Sequence, residues 1–354
     1  MTNLLILIAV LLGIIALSKV VKVLELVSNA KGENSYNLND KENRIQAALM
    51  PVFLIAYFAF IVWQVVAWGD RVLPVSASEH GAVVDNLMTI TWIIIIPVFI
   101  VTHILLFFFA WKYAYDKNRK AQFFAHSNKL ELVWTTIPAL VLLILILYGL
   151  SIWNELMEPL TADDDPVEIE LYARQFDWTA RYPGEDGKFG EADVRFIEGL
   201  NMLGMDSTDQ NAWDDKYVKA EFHLPVNRPV QFYFRAQDVI HSAYMPHFRA
   251  QMNCVPGMIT RFNFIPNKTT KQMQEITGNP DFQYTLLCNK ICGAAHYNMK
   301  MDIIVESEED YNKWLSEQKQ FLEVEGKATL DQSENEDKAD SEELAQVKKE
   351  TILK

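Results

Sequence analysis

The sequence predicts a membrane protein in two parts, an anchor of four transmembrane helices followed by an exported β-sandwich domain. The first part contains four long stretches that lack Asp, Glu, Lys and Arg, and about 20 apolar residues suffice to cross a bilayer. Beyond Pro166 apolar and polar residues alternate, which is the period of a half-buried β-strand. These two patterns exclude a soluble globular protein.

Each uncharged stretch is interpreted as one span. The stretches are Met1–Ser18, Ile45–Trp68, Asn86–Trp111 and Leu132–Trp153. The first could instead be a cleaved secretory signal peptide, but it has no basic residues ahead of its apolar run and no clear cleavage site before Lys19. We therefore interpret it as a retained span.

The basic residues of the short loops predict the orientation of the spans, because such residues stay on the cytoplasmic side. The loop Gly69–Asp85 carries only Arg71 against three acids, which is typical of an external loop. Everything after Trp153 is then expected outside, in the periplasm or an equivalent compartment. The loops after the first and third spans are predicted to be cytoplasmic, since they carry Lys19, Lys22, Lys31, Lys41 and Arg44 in one case and Lys112, Lys117, Arg119, Lys120 and Lys129 in the other.

The exported part begins after a polar linker, Ala162–Pro166. Short alternating segments separated by turn residues favour an antiparallel Greek-key sandwich of about 140 residues. The Gly- and Asp-rich segment Pro183–Asp215 is predicted to be a surface excursion between two strands. The clearest strands are Val167–Leu171, Val230–Phe234, Met258–Ile265 and Met299–Val305.

The C-terminal segment Glu306–Lys354 contains fifteen acidic residues and seven lysines. Its first part, Glu308–Phe321, is predicted to form a short packed helix. From Glu323 onward the composition is that of a solvated or disordered tail. The predicted domains are thus an anchor over 1–160, a sandwich over 161–306 and an acidic C-terminal segment over 307–354.

The net charge and the cysteine content of the chain limit the classes of function that it can have. The chain has 32 basic and 46 acidic side chains, a formal net charge of −14, and such a surface repels phosphate backbones, which argues against nucleic-acid binding. Its three cysteines, Cys254, Cys288 and Cys292, are too few for a disulfide framework. No Cys-x-x-Cys-His sequence occurs, so covalent haem c attachment is not expected.

The chemistry concentrates in one short segment, Cys288–Met299. It brings two thiols, the imidazole of His296 and the thioether of Met299 within twelve residues, and soft sulfur ligands with imidazole suit copper. A buried strand end with structural cysteines is the alternative. Two exported thiols beside a histidine would, however, be prone to oxidation unless a metal or a disulfide occupied them.

A copper centre in this segment would need a second imidazole from elsewhere. His241 is the candidate, since it is predicted to end the strand that begins near Val230 and to precede a turn. His247 lies near it in sequence. The remaining histidines are interpreted as surface or hydrogen-bonded residues, namely His80, His103, His126 and His223.

These residues together resemble a known family, subunit II of the haem–copper cytochrome c oxidases. The family's copper A loop has the form Cys-x-Glu-x-Cys-Gly-x-x-His-x-x-Met, and the segment Cys288–Met299 matches every position but one. The resemblance covers roughly Asn86–Phe321. It also includes Asp238-Val-Ile-His-Ser242, Val255-Pro-Gly257, Asn128-Lys-Leu-Glu-Leu-Val-Trp-Thr-Thr-Ile-Pro138 and Gln175-Phe-Asp-Trp178.

The resemblance implies a cupredoxin-like sandwich that holds two copper ions. Cys288 and Cys292 would bridge both ions, Met299 would be a weak axial ligand, and His241 and His296 would each complete one ion. The main-chain carbonyl of Lys290 would face one copper.

The resemblance also implies the role and the partners of the chain. It would accept electrons from a cytochrome c and pass them to the haems and copper of subunit I, where oxygen is reduced to water and protons are pumped. The expected location is a bacterial inner membrane. Expected partners are subunit I, other oxidase subunits, and either soluble cytochrome c or a tethered haem-c domain, for example of a membrane quinol:cytochrome c reductase in a supercomplex.

Two further site residues come from the resemblance. Phe176 and Trp178 stand where the family has its two tryptophans, the first of which usually receives the electron. Glu131, at the cytoplasmic start of the last span, would lie at the mouth of a proton path into subunit I; the alternative is an ordinary acid that stabilises a helix N-terminus. The two spans before Asn86 are extra relative to the family.

Three residues depart from the family pattern. Lys290 replaces the glutamate that usually helps to hold a magnesium ion between subunits I and II, so that ion is in doubt. Asn253 replaces a second nearby carboxylate. Phe176 replaces the usual tryptophan, which puts delivery by free soluble cytochrome c in doubt and favours a tethered donor, although the acidic chain still favours a basic haem protein.

Three other functions compete with this interpretation. A quinol oxidase subunit II would lack the copper ligands, which are all present here. A nitrous oxide reductase would carry a large propeller domain, which this chain lacks. A copper A subunit of a nitric oxide reductase remains open, because the partner subunit decides between the two reactions.

Overall fold

The computed structural model describes residues 2–30, 40–123, 125–199 and 201–321. Four long helices come first: α1 (Thr2–Ala30), α2 (Asp40–Trp68), α3 (Glu79–Lys112) and α4 (Asn128–Leu156). α2, α3 and α4 each contain a predicted span, and α1 contains the first predicted span from Thr2 onward. The predicted acidic tail from Glu323 onward lies outside the described residues.

Three of these helices qualify as membrane spans by length and composition. They are Asp40–Arg71, Glu79–Lys112 and Asn128–Leu156, with mean hydropathies of 2.3, 2.8 and 2.4. The search of the described residues does not include α1 among these candidates. A helical membrane region is thereby confirmed, whereas the count of four spans stays a prediction.

The described residues form two compact units. One comprises Met1–Val72 and Trp92–Trp134, and the other Leu73–Thr91 and Thr135–Lys354. In the first unit α2 and α3 pack through aromatic rings, with Tyr57 stacked on His103 at 5.7 Å between centroids. His103 accordingly has the predicted hydrogen bond, since its Nδ1 lies 2.8 Å from the Phe99 carbonyl oxygen.

The second unit contains the predicted β-sandwich, built from ten strands. The first sheet has the order β3-β2-β1-β5-β8 and the second β4-β10-β9-β6-β7. The strands are β1 (Val167–Arg174), β2 (Asp177–Tyr182), β3 (Lys216–Val218), β4 (Glu221–Pro225), β5 (Val230–Ala236), β6 (His241–Met245), β7 (Ala250–Cys254), β8 (Thr260–Phe264), β9 (Tyr284–Cys288) and β10 (Lys300–Glu306).

The four predicted strands are confirmed as β1, β5, β8 and β10. The expectation of a purely antiparallel sandwich is wrong, because β1 pairs with β5 and β4 pairs with β10 in parallel. Parallel neighbours need long connections. The chain provides them by crossing to the other sheet before it returns.

The alternating strand directions place five connections at one end of the sandwich. Each joins an odd-numbered strand to the next even-numbered one, and we call this the copper end because it carries the predicted ligands. The connections are 175–176, 219–220, 237–240, 255–259 and 289–299. The linker from α4 enters β1 at the opposite end.

The core lies between the two sheets and is apolar and aromatic. Ile169, Trp178, Phe222, Phe232 and Ile303 are completely buried there. Every second residue of each strand faces this layer, which is why the period-two pattern located the strands.

The excursion Pro183–Asp215 lies between β2 and β3 as predicted, but it is not a simple surface loop. Leu203, Met205 and Ala212 are buried together with Tyr172 of β1 and Phe321. The excursion therefore covers the outer face of the first sheet.

Charged side chains are buried beneath this cover. Arg181 lies 3.3 Å from a carboxylate oxygen of Glu170 and 3.3 Å from one of Asp215. Arg235 pairs with Glu170 at 3.0 Å. Outward-facing strand residues are polar by alternation, so covering them required these ion pairs.

Two short helices complete the domain, α5 (Thr270–Thr277) and α6 (Glu308–Ser316). The predicted helix after Glu306 is confirmed, although it ends at Ser316 rather than at Phe321. α6 packs on the sandwich through Trp314, whose ring stacks on His223 at 3.9 Å.

The segment that precedes α3 is part of the sandwich. Ala77 and Ser78 are fully buried, and Ala77 belongs to the apolar core of the domain. Its backbone N–H donates to the His247 carbonyl oxygen at 2.8 Å, and Arg249 pairs with Asp85 of α3 at 2.8 Å. We call the segment Leu73–Gly81 the clamp.

Candidate metal centre

The candidate centre is assembled from two neighbouring strands and the loop Asn289–Met299. His241 is the first residue of β6 and Cys288 the last residue of β9. Because β6 and β9 are paired, with Ala243 opposite Cys288, the imidazole comes to lie beside the thiol. The loop then turns back through His296–Asn298 into β10.

The prediction that His241 ends the strand starting near Val230 is wrong. That strand ends at Ala236, and His241 begins the next one. The turn between them is organised by Asp238, whose carboxylate accepts a hydrogen bond from the Val239 N–H at 2.7 Å. A polar residue at this position therefore ends one strand and starts the next.

The predicted ligand atoms converge around two thiols. The Sγ atoms of Cys288 and Cys292 are 3.8 Å apart. Nδ1 of His241 lies 3.8 Å from Cys288 Sγ, and Nδ1 of His296 lies 3.6 Å from Cys292 Sγ. Met299 Sδ is 3.8 Å from Cys292 Sγ.

The ligand atoms of His241, Cys288 and Cys292 lie within 4.8 Å of one another. His241, Cys292 and Met299 are buried, and Cys288 is half-buried. Burial raises the pKa of the Cys292 thiol to about 11, and the neighbouring Cys288 adds to the effect. A cation between the sulfurs would offset this cost and hold them as thiolates.

Asp238 fixes the orientation of His241. Its Oδ1 lies 2.9 Å from His241 Nε2, so Nε2 donates and the lone pair of Nδ1 faces the thiols. Burial opposes ionisation of Asp238, but hydrogen bonds from His241, Gln175 and Val239 lower its pKa below the ordinary value. The imidazole is therefore held in the tautomer that a metal ligand requires.

The turn between β1 and β2 docks directly on the metal-binding loop. The side-chain amide of Gln175 donates to the Cys292 carbonyl oxygen. A Cβ on Gly293 would lie 2.8 Å from both that amide nitrogen and the Phe176 ring. Gly293 also has φ +143°, which favours glycine, so only this residue type permits the contact.

The two predicted electron-receiving residues differ in accessibility. The Phe176 side chain is 37% exposed at the copper end, whereas Trp178 is completely buried. The Trp178 ring meets His241 edge-on at 6.2 Å between centroids. Phe176 alone can therefore meet an external partner.

Lys290 lies at the exposed tip of the loop. Its carbonyl oxygen is 3.3 Å from Cys288 Sγ, so its main chain faces the thiols. An ammonium is in any case no metal ligand while it is protonated.

The remaining predicted residues lie apart from this cluster. His247 lies in the turn between β6 and β7, at the far end of the sandwich, where its Nδ1 is 3.0 Å from the Val75 carbonyl oxygen. His223 pairs with Glu306 at 2.6 Å. Glu131 lies in the first turn of α4, and its carboxylate accepts a hydrogen bond from the Ser127 N–H at 3.2 Å.

Sequence reasoning did not assign roles to Gln175, Asp238 and Gly293. The role of Asp238 could have been predicted from the sequence, because an acid three residues before a candidate histidine ligand can orient that histidine across a tight turn. The roles of Gln175 and Gly293 depend on contact between distant loops, so local sequence carries no signal for them.

The donor set fits copper. Two thiols, two imidazoles, one thioether and a carbonyl oxygen are soft or borderline ligands. Each imidazole lies beside a different sulfur. Hard cations would require carboxylates, and the nearby carboxylate of Asp238 is engaged with the outer nitrogen of His241.

Comparison with known proteins agrees with this chemistry. Residues 65–152 match the family model of the transmembrane domain of cytochrome c oxidase subunit II, and residues 168–308 match that of its periplasmic domain. A curated relative, the alternative cytochrome c oxidase subunit 2 of Bradyrhizobium diazoefficiens, is 32% identical over 71% of this chain and 85% of its own length. Cytochrome c oxidase subunit 2 of Thermostichus vulcanus is 29% identical over 68% of this chain and 77% of its own length.

Among solved structures, the chain is similar to the periplasmic domain of subunit II of cytochrome oxidase of Bradyrhizobium japonicum. The identity is 22%, the TM-score is 0.29, and the match covers 42% of this chain and 91% of that domain. The two family matches and the curated relatives carry the assignment: the chain belongs to the subunit II family of the haem–copper cytochrome c oxidases.

Proposed function

We propose that this chain receives single electrons from a haem-c donor through a binuclear copper A centre and passes them to subunit I of a bacterial oxidase. One observation carries the proposal: two sulfurs 3.8 Å apart each lie beside a different imidazole, Cys288 beside Nδ1 of His241 and Cys292 beside Nδ1 of His296. One copper needs only one of these thiols. Two sulfurs between two imidazoles suit a pair of metal ions that share both thiolates.

Each proposed copper ligand has a distinct role. Cys288 and Cys292 would bridge the two ions, His241 and His296 would each complete one, and Met299 would be a weak axial ligand. The carbonyl of Lys290 would face the other ion, not the one that Met299 ligates. A copper pair held in this way would accept one electron delocalised over both ions.

The fold restricts the movement of the proposed ligand side chains. His241 and Cys288 lie on paired strands, and Met299 is adjacent to β10. Asp238 and Gln175 hold His241 and the Cys292 carbonyl from outside. A rigid ligand shell changes little when an electron arrives, which favours rapid transfer.

The surrounding assembly follows from the family. Oxygen reduction and proton pumping would occur in subunit I, and Glu131 would stand near a proton path at the inner face of the membrane. The four helices would be four spans, with the copper domain in the periplasm. An oxygen-electrode trace compared with an anaerobic nitric oxide assay on the purified complex separates an oxidase from a nitric oxide reductase.

We expect the full-length chain, purified in detergent and loaded with copper, to bind two coppers per chain and to turn purple when oxidised. Electron paramagnetic resonance should show a seven-line hyperfine pattern, because one unpaired electron would couple equally to two copper nuclei. Metal analysis gives the stoichiometry. A four-line spectrum with one copper per chain would contradict the binuclear assignment.

The Lys290 side chain makes a second test possible. It is exposed and forms no hydrogen bond or ion pair within the described residues, so it is free to meet subunit I. We propose that its ammonium replaces the magnesium ion usually held at that interface and pairs there with an acid or with ordered water. The purified complex is therefore expected to contain no interfacial magnesium, and Lys290→Glu to restore it.

Metal analysis and a high-resolution map of the complex check this expectation. Lys290→Gln serves as the control, because it removes the charge without adding a carboxylate. An octahedral ion with ligand distances of about 2.1 Å in the unmodified complex, with Lys290 turned away from it, would reject the replacement.

A further inference from the structure

A polar cavity lies where α2 begins and α3 ends. It has a volume of about 280 Å³ and is lined by residues of the segments 40–47 and 111–119, and we call it the basic cavity. Both segments belong to the same compact unit. The charged residues of its lining are Asp40, Arg44, Lys112, Asp116, Lys117 and Arg119. None of them has a role in the candidate metal centre.

The loop after α3 is folded back onto the start of α2, which gives the basic cavity defined walls. The side-chain amide of Asn43 donates to the Tyr115 carbonyl oxygen at 2.7 Å. Lys117 Nζ lies 3.2 Å from a carboxylate oxygen of Asp40. The two walls are therefore joined by a hydrogen bond and by an ion pair.

The segments that form the walls carry an excess of positive charge. The ranges 40–44 and 112–120 together contain six basic and three acidic residues, which is a net charge of +3. Asp116 is engaged within the loop, because its carboxylate accepts a hydrogen bond from the Asn118 N–H at 2.9 Å. The basic residues are Lys41, Arg44, Lys112, Lys117, Arg119 and Lys120, and the acids are Asp40, Glu42 and Asp116.

Two cations of the basic cavity have no carboxylate partner. Within the residues that the structure describes, the Arg44 side chain forms no hydrogen bond or ion pair. The Lys112 ammonium lies over the rings of Phe108 and Tyr113, at 5.2 Å and 5.6 Å from their centroids, and no carboxylate in the described part of the chain pairs with it. A guanidinium and an ammonium that lack counterions are suited to bind an anion.

The position of the basic cavity along the helices indicates which anion it would bind. Arg44 immediately precedes the uncharged stretch Ile45–Trp68, and Lys112 immediately follows the uncharged stretch Asn86–Trp111. Because α2 and α3 are candidate membrane spans, these two cations would lie at the level of the lipid headgroups. Trp111 lines the cavity and is 47% exposed, as is typical of tryptophan at a membrane interface.

We propose that the basic cavity binds the phosphate group of an anionic phospholipid. Arg44 and Lys112 would donate hydrogen bonds to the phosphate oxygens, and the acyl chains would lie along the apolar side chains of α2 and α3. The loops that form the cavity are predicted to be cytoplasmic, and anionic lipids attract basic segments on that side of a membrane. The wall 40–47 precedes the segment 65–152 that matches the family model, so the site would give α2 a role outside the matched domain.

A free phosphate ion is the competing ligand, because it offers the same oxygens to the two cations. The apolar surface next to the cavity favours the lipid. Phe53 of α2 is 55% exposed, and its ring lies 5.3 Å from that of Phe107 of α3. Acyl chains laid against such side chains would add binding free energy that a free ion cannot gain.

The test uses the full-length chain, purified in detergent and freed of bound lipid. Native mass spectrometry compares the binding of phosphatidylglycerol with that of phosphatidylcholine that has the same acyl chains. We expect one phosphatidylglycerol per chain to bind at least about tenfold more tightly than phosphatidylcholine, since a basic side chain near a headgroup contributes a factor of about five. An excess of inorganic phosphate at constant ionic strength should not displace it.

Charge removal identifies the site. Arg44→Gln combined with Lys112→Gln should weaken the binding of phosphatidylglycerol by about thirtyfold, because two such factors are lost, and leave that of phosphatidylcholine unchanged. Lys120→Gln combined with Lys129→Gln is the matched control, since it removes two positive charges that lie outside the cavity lining. Arg44→Lys combined with Lys112→Arg should restore the preference. Circular dichroism checks that each variant keeps its helices.

The unmodified chain provides a test that no variant can disturb. A phosphatidylglycerol with a photoreactive group on its headgroup should label residues within 40–47 or 111–119, and tandem mass spectrometry locates the label. Labelling confined to other segments would overturn the proposal. None of these measurements needs copper, so they can fail while the proposed electron transfer holds, and the reverse.

Three further results would also overturn the proposal. Equal affinities for phosphatidylglycerol and phosphatidylcholine would show that the cavity does not recognise a net negative charge. Displacement by inorganic phosphate would show that it binds a free anion and not a lipid. An equal loss of affinity in the control variant would show that the basic loop attracts lipid without a defined site.

Discussion

Replacing Cys292 with serine is expected to abolish the binuclear centre. The Cys292 sulfur is the most connected atom of the cluster, because Cys288 Sγ, His296 Nδ1 and Met299 Sδ all lie within 3.8 Å of it. A hydroxyl is a harder and less basic ligand than a thiolate at neutral pH. We expect the purple colour and the seven-line spectrum to disappear and electron transfer to fall by more than about a hundredfold.

The measurement is visible absorption, paramagnetic resonance and copper analysis on the full-length chain. Met299→Leu provides the contrast, because a weak axial thioether tunes the redox potential without holding the metal. That variant should keep two coppers and a binuclear spectrum with a shifted potential. If Cys292→Ser also kept both coppers and the seven lines, Cys292 would not be a bridging ligand.

A large loss of stability is expected when Arg181, which lies away from the candidate metal centre, is replaced. Its guanidinium is buried between Glu170 and Asp215. Removing one partner of a buried ion pair leaves an uncompensated charge and typically costs about 3–5 kcal/mol. At pH 8, above the pKa of about 7 of Asp215, Arg181→Met should therefore lower the free energy of unfolding of the copper domain by up to about this amount.

Asp215 gives the same network a pH dependence. Burial raises the pKa of Asp215 to about 7, although Arg181 opposes the shift. The folded chain thus holds this proton more tightly than the unfolded chain. The contribution of Asp215 to stability is complete below pH 4 and is lost as the pH rises toward about 7.

Thermal unfolding from pH 4 to pH 8 measures both effects. Arg195→Met is the control, because Arg195 pairs with Asp193 on the exposed surface of the excursion, where ion pairs contribute little. Asp215→Asn should remove the pH-dependent loss between 4 and 7. A stability of Arg181→Met equal to that of the control would show that the buried network is not needed for folding.

The sequence predicted those features that depend on local pattern. Continuous apolar stretches located the long helices, and alternation located β1, β5, β8 and β10, because these periods follow from helix and strand geometry. The candidate metal site could be predicted from the loop between Cys288 and Met299, because most of its candidate ligands lie in this one segment. His241 was correctly placed beside the thiols despite an error in its strand.

The features that local pattern could not reveal depend on pairing between distant segments. Parallel pairing of β1 with β5 depends on the whole fold. The sequence of neither strand indicates which other strand it will pair with. The buried contacts of Arg181 were equally hidden, because Gly- and Asp-rich segments such as Pro183–Asp215 usually remain on the surface.

The clamp has a consequence for how the chain must mature. The core of the sandwich includes Ala77, a residue that precedes the strands by two long apolar helices, α3 and α4, both of which are candidate membrane spans. The clamp is synthesised before the strands with which it packs. The domain therefore cannot finish folding until the clamp and all ten strands are on the same side of the membrane. A soluble fragment that begins at Pro166 would expose the surface that the clamp covers, so release of the copper domain from its membrane helices is expected to reduce its solubility and refolding yield.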